Sequence, residues 1–156
     1  MSDPRSQGRE AALQILYFAE VGKARPDEAV EAFFAEHAPE ATEDLRAFAR
    51  EIVLGVTAHL LDLDMLIQRH SEHWRLERLA VIDRLILRIG AWEFQHSDAP
   101  PAVVIDEAIE LAKTFSTENS PAFVNGVLDA VLREHKTLTE KSESRNQNDE
   151  GMTKPE

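Results

Sequence analysis

Apolar residues recur every three or four positions along this chain, in six stripes between residues 5 and 132. The first, Ala12, Leu13, Ile15, Leu16 and Ala19, predicts a helix over 5–21 with Gly22 as its C-terminal cap. Pro26 opens a short second helix carrying Ala29, Val30, Phe33 and Phe34, and Pro39 closes it. Thr42 suits an N-cap, with Glu43 and Asp44 well placed in the first turn behind it. Leu45, Phe48, Ile52, Val56, Leu60, Leu63 and Ile67 then predict one long third helix. The pattern falters near 70–74. A fourth helix over 76–95 follows from Leu79, Ile82, Leu85, Ile86, Ile89 and Trp92.

The last two stripes are the densest. Pro100 and Pro101 suit a helix start, where a missing N–H costs nothing, and Val104, Ile105, Ala108, Ile109, Leu111, Ala112 and Phe115 follow. Ser120 serves as the next N-cap, Pro121 sits at the first helical position, and Phe123, Val124, Val127, Leu128, Val131 and Leu132 form the sixth stripe. Asn125-Gly126 normally signals a hairpin turn, yet here it lies between apolar pairs that keep helical phase. A helix-interior Gly costs about 1 kcal/mol relative to Ala, so a requirement for close approach is expected. A crossing with another helix is favoured over contact with a ligand.

No strand pattern competes. The expectation is an all-α protein of two packed three-helix subdomains, residues 1–71 and 72–135. Beyond 134 periodicity ends and Ser, Glu, Asn and Lys dominate, so 136–156 is expected to be a disordered tail.

Charge narrows the functional classes. The net charge is −12, and the body, residues 1–135, carries 13 Lys and Arg against 24 Asp and Glu. Acidity therefore belongs to the fold, which argues against a simple electrostatic nucleic-acid binder. Eleven of those 13 cations are Arg, which makes bidentate and stacking contacts that Lys cannot. Cysteine is absent, excluding disulfides and thiolate metal sites. With no long apolar run and no leader pattern, the cytoplasm is the expected compartment. His70, His73 and Glu77 could share a helix face as metal ligands, but helical phase is least secure there, and the surface reading is preferred. Glu93 and His96 are only half of a di-iron bundle motif. Phosphate-loop and nucleophile motifs are missing, so neither catalysis nor a cofactor is expected.

Taken one at a time, Arg5 and Arg9 are an unremarkable pair on one helix face, and Tyr17 and Phe123 are better read as core than as base-stacking aromatics. Together, larger stretches say more. REAALQILY (9–17), IDRLILRIGAWEF (82–94), VIDEAIELAKTFS (104–116) and FVNGVLDAVL (123–132) resemble the NusB family of transcription antitermination factors, over about residues 5–134. The resemblance implies a non-enzymatic, all-helical protein that binds the boxA element of ribosomal-RNA leaders. It implies a heterodimer with NusE, the small-subunit ribosomal protein, that joins elongating RNA polymerase with other Nus factors. Carried over by position, the RNA surface comprises Arg5, Arg9, Tyr17, Asn119, Phe123 and Asn125. The NusE-binding positions are Glu77, Asp83 and Pro101.

This chain departs from the family pattern in its sparse basic start, with only Arg5 and Arg9 before Glu10. Each missing cation removes about one phosphate contact, so RNA affinity without NusE should be weak. Asn119 stands where the family often has an acid, a partial offset. Pro101-Ala102 and Asp106 also differ from the commoner residues. The alternative expectation is a protein–protein adaptor on the same fold with little RNA recognition of its own. The sequence leaves open whether the free protein is a monomer or a homodimer.

Overall fold

The computed structural model describes residues 3–71 and 74–152, with side chains described through residue 145. Seven α-helices follow in order: α1 (Pro4–Gly22), α2 (Pro26–His37), α3 (Glu43–Ala58), α4 (Leu60–Arg69), α5 (Val81–His96), α6 (Pro101–Phe115) and α7 (Ser120–Met152). A 3-10 turn, Leu76–Arg78, precedes α5. Among the described residues there is no strand. Helices α1, α2 and α3 pack on one another, as do α5, α6 and α7, and α4 packs chiefly on α5.

The core is the sum of the apolar stripes. Leu13 and Ile15 of α1, Ile52 and Val53 of α3, Leu63 and Ile67 of α4, Ile86 and Leu87 of α5 and Leu128 of α7 are all essentially solvent-free. Helix α5 is the central member, buried without a break from Leu85 to Glu93. It meets α1, α3, α4, α6 and α7. Helix α3 faces it at Gly55, where a Cβ would run into the indole of Trp92. Close approach calls for glycine there, as it does at Gly8 against Phe48 and at Gly90 against Leu128.

Gly126 is different. A Cβ there would meet nothing within 4 Å, and Asn125 beside it is exposed. The helix-crossing expectation for Gly126 is therefore overturned.

Four boundaries depart from the sequence pattern, each for a local reason. The third stripe is two helices, because His59 interrupts it: its N–H is shared between the Gly55 and Val56 carbonyls and its Nδ1 donates to Gly55 O at 2.9 Å. A side chain that competes for an i−4 carbonyl bends a helix. The start of the fourth helix is the 3-10 turn, and α5 begins only at Val81. Helix α1 includes Gly22, and Lys23 instead takes the left-handed cap, at φ 53° and ψ 37°, with its N–H on Ala19 O. The last helix does not end near 134 but continues to Met152, where the sequence pattern implied a tail without structure from 136. Glu, Lys and Arg there are good helix formers, and Thr137 and Thr139 hydroxyls donate to the carbonyls four residues back. A helix surrounded by solvent shows no apolar stripe, which is the signal the pattern relied on.

Candidate functional site

Salt bridges lock the direction in which α1 runs past α5. Arg9 in α1 meets Glu93 near the end of α5, and Glu20 near the end of α1 meets Arg84 near its start, at 2.9 Å. The two helices are therefore antiparallel. Arg9 is 2% exposed, and its Nε and Nη2 donate to both carboxylate oxygens of Glu93 at 2.8–3.1 Å. Burial works against the Arg9 charge, but Glu93, with Glu107 at 3.9 Å, more than compensates and holds the guanidinium above its ordinary pKa. An arginine so enclosed is committed to the fold, and the surface role expected for Arg9 is corrected accordingly. Arg5 is exposed, though paired with Asp98 at 3.3 Å.

At the other end of α5, Asp83 is buried rather than presented. Its two oxygens accept hydrogen bonds from Ser116 Oγ at 2.6 Å and Ser120 Oγ at 3.0 Å. This ties the first turn of α5 to the turn between α6 and α7. Ser120 is thereby drawn away from the capping role expected of it: its hydroxyl accepts from Thr117 N, while Phe123 N reaches Asn119 O. The result is a turn whose backbone is fixed from α5, with Asn119 exposed and Phe123 half-buried on it. Asn119, Phe123 and Asp83 line one cleft of about 250 Å3, together with Trp74, Arg78, Leu79, Ala80, Thr117 and Ser120.

The candidate residues thus fall into two groups. Asp83, Asn119 and Phe123 sit at the start of α5. Tyr17, half-buried and close in sequence to Glu20, lies toward the same end of α1. Arg5 and the exposed Pro101 sit past the other end, about 20 Å away at 1.5 Å per residue of α5. Asn125 is exposed one turn into α7, and Glu77 is exposed in the 3-10 turn. Glu77 lines a broader groove of about 710 Å3 with Asp64, Met65, Gln68, Arg69 and Arg84. His70 caps α4 and Glu77 lies in a separate turn, so the sequence's imagined single helix face does not exist, and His73 lies outside the described residues. No group of three or more His, Asp or Glu is arranged to hold a metal among the described residues. No described helix is long and apolar enough to cross a membrane.

Sequence reasoning missed Trp74. It is 57% exposed on the rim of the cleft, and its only signal was an aromatic residue in the stretch where the apolar pattern failed.

Comparison with known proteins identifies the architecture. The family model described as NusB matches residues 6–133. Over 128 residues the chain is 48% identical to the transcription antitermination protein NusB of Sorangium cellulosum, covering 81% of this chain and 90% of that one. It is also 48% identical to its counterpart in Myxococcus xanthus, over 130 residues. Among solved structures, NusB of T. maritima superposes with a TM-score of 0.76 at 35% identity, covering 86% of this chain and 94% of that chain. A crystal structure of antitermination factors NusB and NusE in complex with dsRNA gives 0.78 at 26% identity, with 86% and 99% covered. The chain belongs to the NusB family.

Proposed function

We propose that this chain is a transcription antitermination and elongation factor that binds boxA RNA of ribosomal-RNA leaders as a heterodimer with NusE. In this reading the pair joins the RNA polymerase antitermination complex with other Nus factors in the cytoplasm, and the chain catalyses no reaction. The observation that carries it is near-complete coverage of a relative solved with both NusE and RNA. The RNA face is assigned to Arg5, Tyr17, Asn119, Phe123 and Asn125, all exposed or half-buried. Arg9 acts on RNA only indirectly, by holding α1 against α5. NusE is assigned to Glu77, Asp83 and Pro101. The two-subdomain division at residue 72 belongs to the same proposal, with α5 as the shared wall.

A specific observation favours a second reading, the protein–protein adaptor. With Arg9 enclosed, Arg5 is the one arginine that α1 presents, and it already faces Asp98. Fluorescence anisotropy with a boxA RNA and a scrambled control, with and without NusE, at two salt concentrations, separates the readings. Tight boxA-selective binding on adding NusE supports the antitermination role. A stable NusE complex that never discriminates between the RNAs establishes the adaptor.

A further inference from the structure

Nine of the eleven body arginines have a partner: a carboxylate, or for Arg46 the Pro39 and Ala41 carbonyls. Among the described residues, the two with neither are Arg75 and Arg78. They follow the most exposed large aromatic of the chain, Trp74, at 57% exposure. In a protein of net charge −12, two uncommitted guanidinium groups beside an open indole form a local exception to the field. Arg78 and Trp74 line the same cleft as Asn119 and Phe123, and the Asp83 carboxylate that also lines it is taken up by the Ser116 and Ser120 hydroxyls.

The segment carrying them is not loose. Gln68 clamps it with its side-chain amide, Nε2 donating to Trp74 O at 3.1 Å and Oε1 accepting from Leu76 N at 2.8 Å. Trp74 N donates to Ser71 O at 3.1 Å, and Leu76 is buried as an anchor. The 3-10 turn then fixes Arg78, whose N–H reaches Arg75 O at 2.9 Å. A buried Leu and the Gln68 amide thus fix the backbone from which the exposed indole projects. An indole placed this way gains nothing for the core. With its backbone fixed, it needs only its side chain ordered on contact, which lowers the ordering cost of binding.

We propose that the cleft between Trp74 and Phe123 takes an unstacked base of single-stranded RNA, with Arg75 and Arg78 on the flanking phosphates. This rests on the RNA-binding reading above and moves its centre from the start of α1 to the start of α7. Aromatic faces accept any base, and Arg adds charge and stacking. Two cations at this site also explain how an acidic body holds a polyanion: contact is made where the arginines are not already neutralised. Asn119, exposed at the cleft edge, offers an amide to the edge of the same base.

The test uses the full chain and a fluorescein-labelled 12-nucleotide boxA RNA, with NusE present, at two salt concentrations. Trp74→Ala should weaken RNA binding about tenfold or more, the scale of one stacked base, while Trp74→Phe retains most of it. Arg75→Gln and Arg78→Gln should each flatten the salt dependence by somewhat under one unit of slope. Trp74 fluorescence should be quenched by RNA, a signal lost in Trp74→Phe, because the other tryptophan, Trp92, is buried. Binding by Trp74→Ala and Arg78→Gln equal to the parent overturns the inference and leaves the RNA reading standing. Loss of the NusE complex in Trp74→Ala, with RNA binding by the chain alone unchanged, also overturns it and makes the cleft a protein edge. A parent that binds no RNA under any condition overturns the underlying reading instead.

Discussion

Arg9 and Glu93, 84 residues apart, form a bidentate pair with both side chains only 2% exposed. Removing one partner from such a pair leaves the other charged, buried and unmatched, which typically costs 3–5 kcal/mol. Arg9→Ala should therefore lower stability to urea by about that amount. Arg9→Met with Glu93→Leu should be far less harmful than either single change, since an apolar pair of similar volume leaves no orphan. If Arg9→Ala unfolds at the parent's midpoint, the pair is ornamental and the arginine is free for RNA after all.

Two backbone positions should respond oppositely to the usual intuition about glycine. Lys23 holds a left-handed conformation that costs a side-chain-bearing residue about 1 kcal/mol, so Lys23→Gly should raise stability by up to that amount. Gly126 sits mid-helix with open space around it, so Gly126→Ala should stabilise by about 1 kcal/mol. Thermal unfolding checks both. A destabilised Gly126→Ala would mean that this part of α7 is packed in solution. If stability rises while boxA binding falls, the glycine serves the RNA face.

Acidification should weaken the fold through His96. Although His96 is exposed, its ring lies 5.3 Å from that of Trp92 and 4.6 Å from that of His59, and desolvation by its neighbours, followed by the charge of His59, lowers its pKa below 6.5. The unfolded chain then binds a proton that the folded one refuses. Stability is fully present above about pH 6.5 and is lost as pH falls from there toward the folded-state value. His96→Gln should make this slope shallower, seen as denaturant midpoints that fall less between pH 7 and 5.5. An unchanged slope would place the titration elsewhere.

Much of the architecture was written in short-range signals. Pro26 and Pro101 begin their helices as expected, and Thr42 caps α3 with its hydroxyl accepting from Leu45 N at 3.2 Å. These devices act within a turn, so a local reading finds them. What escaped depends on distant partners. Nothing near Arg9 announces Glu93, and nothing near Asp83 announces the hydroxyls of Ser116 and Ser120. A charged residue looks like surface until its partner is located. His59 escaped for a related reason: its bend is made by a side chain competing with its own helix, and the apolar stripe runs through it undisturbed. Trp74 stood out only as a break in pattern, since exposure cannot be read from a segment with no period.

The tether from Asp83 to Ser116 and Ser120 gives the molecule a mechanical linkage. Any partner that takes hold of this carboxylate must displace a hydroxyl that positions the α6–α7 turn, and with it Asn119 and Phe123. Occupancy at the carboxylate is then felt along the same cleft as a change in how the turn is aimed. By reciprocity, whatever stiffens that turn alters the grip on Asp83 by the same free energy. Two ligands at this cleft would be cooperative or antagonistic through two serines, over and above any contact between them.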